Sequence, residues 1–109
     1  MANRSFDFGK VKRSFYNTKL KDGTILLVNM PMKKTFEKIT KIEELQEDDD
    51  ATLVYDTMLD LMAEILSNNK QKKRITTEYL EKEEYDLEEI TAYIGDYAKF
   101  VETIKNNPN

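Results

Sequence analysis

The chain contains no cysteine, no histidine and no tryptophan, and only three glycines and two prolines in 109 residues. Each absence removes a class of chemistry. Without Cys there is no disulfide framework, no thiol nucleophile and no sulfur-ligated metal. Without His the commonest general base near neutral pH is missing, as is the commonest zinc ligand. Catalysis by carboxylates or lysine would need a buried, perturbed group, so the sequence reads as that of a non-enzymatic protein. Gly9, Gly23 and Gly95 are too scattered to build a phosphate-cradling loop. The carboxylates at 47–50 and 81–89 lack the pattern of a calcium loop and read as helix caps and solvated surface. Neither a cofactor nor a metal is expected. No apolar run approaches the length that crosses a bilayer, and residues 1–10 lack the apolar stretch of a secretory signal. The expectation is a cytoplasmic protein with no membrane partner.

What is present is charge and aromatic surface. Charged residues make up 35% of the chain and apolar residues 39%, enough for one modest core under a heavily solvated exterior. The charge is unevenly spread. Residues 1–41 hold ten Lys or Arg against three acids, a balance of +7, whereas residues 42–109 hold seven bases against eighteen acids, a balance of −11. Such a split permits head-to-tail contact between subunits, because opposite patches steer association; docking of the basic third on the acidic remainder of the same chain is the simpler alternative. The strongly acidic helical region argues against nucleic acid as a partner.

The pattern predicts an α+β fold: an N-terminal β-hairpin, with a third short strand possible, followed by a bundle of about four helices. Residues 1–13 form an arm or a short strand carrying Phe6 and Phe8, and 14–109 form one domain. The hairpin spans 14–30. Asp22-Gly23 supplies its turn, an Asp-Gly pair suiting a tight turn whose two central residues both take positive φ. Its second strand, Ile25-Leu26-Leu27-Val28, is apolar on both faces and needs cover on both, from a helix on one side and a further strand or subunit on the other. Pro31 marks the exit. Helices are predicted at about 33–46 (Phe36, Ile39, Ile42 and Leu45), 51–67 (Val54, Met58, Leu61, Met62 and Ile65) and 77–84. The last, 87–106, is opened by the capping box Asp86…Glu89 and carries the seam Ile90, Ile94, Tyr97, Val101 and Ile104. Gly95 either permits close backbone approach or is neutral. The basic stretch 68–74 reads as a solvated loop or as a contact for phosphate or an acidic surface.

Eleven aromatic residues are many for so small a core. Tyr and Phe are favoured interface anchors. The candidate partner-binding residues are therefore the strand Ile25, Leu26, Leu27 and Val28 and the helix face Tyr93, Tyr97 and Phe100.

The order of segments also carries a resemblance. Lys-Leu-Lys-Asp-Gly-Thr-Ile-Leu-Leu (19–27) leads through Met30-Pro31-Met32 to a helix. Leu-Asp-Leu-Met-Ala-Glu-Ile-Leu-Ser-Asn-Asn (59–69) follows, then Ile-Thr-Thr-Glu-Tyr-Leu (75–80) and Asp-Leu-Glu-Glu-Ile (86–90). A Tyr/Phe-rich helix and Asn-Asn-Pro-Asn (106–109) close the chain. Over roughly 14–109 this layout resembles the tail assembly chaperones of long-tailed bacteriophages, often found in prophages of Gram-positive bacteria. The resemblance implies a protein that binds the tape-measure protein, keeps its apolar helices soluble, helps recruit tail-tube protein, self-associates, and is absent from the mature virion. A structural tail-completion subunit and an acidic regulator imitating nucleic acid are the alternatives. The resemblance maps no binding motif onto individual residues.

Overall fold

The computed structural model describes residues 3–42, 44 and 50–106. The predicted helix end at Leu45 and Gln46, the acids Glu47, Asp48 and Asp49, and the closing Asn107-Pro108-Asn109 lie outside the described residues. The fold is α+β: β1 (Tyr16–Lys19) and β2 (Ile25–Val28) form an antiparallel hairpin, followed by α1 (Lys33–Ile42), α2 (Ala51–Ser67), α3 (Thr77–Lys82) and α4 (Leu87–Asn106).

Local chemistry sets most boundaries. Strand register pairs Tyr16 with Val28 and Lys19 with Ile25. The connection departs from the predicted two-residue turn. Only Gly23 takes positive φ (92°), and Leu20 N–H donates to the Thr24 carbonyl around a three-residue loop, with Gly23 N–H donating to the Leu20 carbonyl. A type I turn completed by one left-handed glycine suits a strand pair as well as an Asn-Gly-type turn does. Asp50 caps α2 through Thr52 N–H (2.7 Å), and Thr76 caps α3 through Tyr79 N–H (3.1 Å). The Asp86–Glu89 capping box closes reciprocally, at 2.8 and 2.9 Å. Helix α3 ends two residues before the predicted boundary. Glu84 takes φ 60°, Glu84 N–H reaches the Glu81 carbonyl and Tyr85 N–H the Leu80 carbonyl. That is a Schellman closure with Glu where Gly is usual, backed by burial of Leu80 and Tyr85.

The core lies between the inner face of the hairpin and helices α2, α3 and α4. Leu26, Val28, Leu59, Ile65, Leu66, Leu80, Ile90 and Tyr97 are each under 2% exposed. Helices α2 and α4 run in the same sense: Tyr55 near the start of α2 donates to the Tyr85 carbonyl just before α4, and Thr91 contacts Met58. Gly95 is exposed, with open space where a side chain would stand, so it permits no close helix contact.

The expectation that both faces of β2 need cover is half met. Helices cover Leu26 and Val28, while Ile25 stays 58% exposed on the other face. In place of a further strand, the basic stretch straps the outer edge of β2. Lys70 N–H donates to the Leu27 carbonyl, Asn29 N–H to the Asn68 carbonyl, and the Gln71 side chain both accepts from Leu27 N–H (3.1 Å) and donates to the Ile25 carbonyl (2.9 Å). Asn69, buried, holds the strap's turn by bonds to the Leu66 and Lys73 carbonyls and from Lys73 N–H. Unsatisfied edge groups attract foreign strands; here one side chain and a short backbone run satisfy them.

Residues 3–14 are all exposed. The arm contains a 3-10 turn at Phe8–Lys10, capped by Asp7, rather than a strand. Its Phe6 and Phe8 rings meet edge to face at 4.8 Å, and both remain more than 70% exposed. The radius of gyration, 16.3 Å, exceeds the roughly 13 Å of a compact chain this size.

Candidate functional site

The sequence-nominated residues separate into two groups. Leu26, Val28 and Tyr97 are core residues, so their selection as partner-facing anchors is corrected: the inner face of the hairpin and the α4 seam seal them within one subunit. Ile25 is exposed, and Leu27, Tyr93 and Phe100 are half-buried.

The aromatic face of α4 is the joint between hairpin and helix. Tyr16 packs within 5.3–5.6 Å of Tyr93, Tyr97 and Phe100, centroid to centroid. The hydroxyls are all engaged: Tyr16 donates to Asp96 (2.5 Å), Tyr97 to the Asn29 carbonyl (2.7 Å), and Tyr93 lies 2.8 Å from Thr18 Oγ1. Burial pushes the phenols of Tyr16, Tyr93 and Tyr97 above their ordinary range, so they stay neutral. A second joint fixes the hairpin tip. Lys21 Nζ donates to the Glu84 carbonyl and to Glu89, both at 2.9 Å, and lies over the Tyr85 ring. Tyr79 donates to Asp22 at 2.5 Å; that bond and those from Thr24 hold the Asp22 carboxyl at about 2.

The open apolar surface of the body lies elsewhere, along α1. This helix has a strong apolar stripe but no fully buried residue: Phe36 is 45% exposed, and Ile39 and Ile42 are half-buried. It is tethered by one carboxylate. Glu64 on α2 accepts from Thr35 (2.6 Å) and Lys38 (2.8 Å). Burial raises the Glu64 carboxyl, but the Lys38 and Thr35 bonds outweigh it and leave the group below its ordinary value. A groove runs on each flank of α1. One, of about 330 Å³, lies against α2 and is lined by Lys38, Lys41, Ile42, Thr57, Asp60 and Leu61. The other, of about 220 Å³, lies against α4 and is lined by Phe36, Ile39, Ala98, Val101, Glu102 and Lys105 among others. An amphipathic helix laid in such a groove buries its i, i+3, i+4 anchors against apolar walls while its polar face meets the charged rim.

Sequence reasoning identified the Phe36, Ile39, Ile42 and Leu45 stripe as the mark of a helix but did not nominate it as a partner-binding face. The available signal was the thinness of the stripe: α1 carries single apolar residues at three-residue intervals, whereas α2 adds Leu59 and Leu66 beside Met58, Leu61, Met62 and Ile65.

Among the described residues no group of three acidic side chains is placed to hold a metal ion, and no helix is long and apolar enough to cross a membrane. No protein-family model matches the chain, and searches of curated proteins and of solved structures return no match.

Proposed function

We propose that this chain is a non-enzymatic, cytoplasmic assembly chaperone that receives an amphipathic helical client along α1 and that self-associates. The client inferred from the resemblance is a phage tape-measure protein, with tail-tube protein as a second partner and no place for the chaperone in the finished virion. The observation that carries the reading is the half-seated α1, an apolar stripe with a groove on either side. Exposed contiguous apolar surface of this kind marks interaction sites. The paired rims, Lys38, Lys41 and Asp60 on one side and Glu102 and Lys105 on the other, suit a client whose apolar stripe is flanked by charges of both signs.

The test is co-expression with the tape-measure protein of the same genome. The full chain is expected to keep that protein soluble and to co-purify with it. Phe36→Asp with Ile39→Asp should lower recovery of the complex about tenfold or more, as loss of a central apolar anchor does. An unchanged circular dichroism spectrum would show that the body still folds. Recovery of soluble tape-measure protein without the chain, or equal recovery with the double variant, would overturn the reading.

A further inference from the structure

Two features of the surface have no partner among the described residues. The first is the arm. Its described hydrogen bonds, from Lys10, Val11 and Gly9 to Asp7 and Phe8, are all local. Phe6 and Phe8 touch each other, and Arg4, Lys10, Lys12 and Arg13 make no ion pair among the described residues. Residues 3–15 carry these four bases and one acid, a balance of +3. An exposed aromatic pair in a basic segment suits an apolar spot set among carboxylates.

The second is the back face of α2. Leu53, Asp56, Thr57 and Asp60 follow i, i+3, i+4, i+7 spacing and are all exposed, Leu53 at 58%. Neither Asp56 nor Asp60 is in an ion pair among the described residues. The stripe therefore offers one large apolar side chain flanked by free carboxylates, beside the groove lined by Thr57 and Leu61.

These two features lie toward opposite ends of the body. The arm leaves β1 at Phe15, which sits under Lys70 just beyond the C-terminal end of α2. Leu53 is in the first turn of α2, whose 17 residues span roughly 25 Å. We infer that the arm of one copy docks on the α2 back face of a second copy, the Phe6–Phe8 pair against Leu53 and the arm's bases against Asp56 and Asp60. A contact between different patches is heterologous, and repeated from copy to copy it builds a ring or an open filament. The inference rests on the self-association half of the proposed function and names its site; it takes Asp60 at the rim of the α1–α2 groove and leaves the groove between α1 and α4 free for client.

Sedimentation velocity on the full chain tests it. Wild type is expected to form species larger than a dimer, weakening as salt screens the charges. Phe6→Ser with Phe8→Ser should lower the association constant roughly a hundredfold, two anchors at about tenfold each. Leu53→Ser with Asp56→Lys and Asp60→Lys should do the same. All these side chains are exposed, so each variant should keep the wild-type circular dichroism. The decisive sample is an equal mixture of the two variants. One retains an intact face and the other an intact arm, so together they should form a dimer that grows no further. A mixture that stays monomeric overturns the inference. So does a wild-type oligomer that neither variant weakens, which would leave self-association standing through another surface. A monomeric wild type overturns both. Arm variants that lose only the tape-measure protein, with oligomers intact, assign the arm to the client and also overturn it.

Discussion

The hairpin and the arm are neighbours in sequence and opposites in how they are held. Residues 16–28 are fixed from three directions. Strand pairing joins β1 to β2, the Tyr16 ring and the Thr18 hydroxyl meet the aromatic face of α4, and the 68–71 strap occupies the outer edge of β2. Residues 3–14 make only local hydrogen bonds among the described residues and contribute nothing to the core. Both segments contain paired aromatic or branched side chains. The difference is that the hairpin's alternate residues face one surface that helices can cover, whereas the arm's Phe6 and Phe8 have no facing element. Apolar content alone does not decide what is buried; a partner surface within reach does.

The comparison can be broken hardest at Tyr97. It is 1% exposed, joins the α4 seam to Tyr16 and donates to Asn29. Tyr97→Ala should cost about 3–5 kcal/mol, as large aromatic truncations in cores do, and urea denaturation reads this as a lowered midpoint at similar slope. Were the hairpin held by strand pairing alone, the midpoint would barely move. Gln71→Ala sharpens the role of the strap. It deletes two side-chain bonds to exposed backbone and should cost about 1 kcal/mol. Leu27 N–H, now unprotected, should exchange with deuterium much faster than Lys70 N–H, whose bond to the Leu27 carbonyl persists.

The smallest effect is an acid one at the hairpin tip. Asp22 is depressed to about 2 from an ordinary 3.8 by its bonds from Tyr79 and Thr24. A carboxyl that is more acidic when folded contributes stability fully above its unfolded value and loses it as pH falls through the folded one. The tip should therefore weaken between about pH 4 and pH 2. Asp22→Asn should remove that part of the pH dependence while leaving the midpoint at pH 7 only slightly lower, the carboxylate being at the surface.

Much of this fold was legible in the sequence. The seam Ile90, Ile94, Tyr97 and Val101 and the α2 stripe have helical periods strong enough to name both elements and their buried faces, and Asp50 and Asp86 announce the starts that they cap. The third neighbour of the hairpin was hidden because a strap held by the Gln71 and Asn68 side chains and two backbone hydrogen bonds has no periodicity; 68–74 reads only as polar and basic. The closure of α3 was hidden because its left-handed residue is Glu84, with no glycine to mark it. The site was the least legible part. Composition shows that surplus apolar surface exists, but Leu26, Val28 and Tyr97 have the same sequence signature as exposed anchors until the partners that cover them are known. Phe36 looks like core until α1 is seen with neither flank closed.

The place where the arm joins the body has a mechanical consequence. The arm feeds directly into Tyr16, the first residue of β1, and the ladder bonds to β2 lie across the strand rather than along it. A tug on the arm along the strand axis therefore loads the four residue pairs of the hairpin together, in shear, along with the Tyr16 and Thr18 side-chain bonds to α4. A sideways tug would peel them one at a time. Any neighbour that grips this segment gains a tether that is strong in one direction and weak in the other.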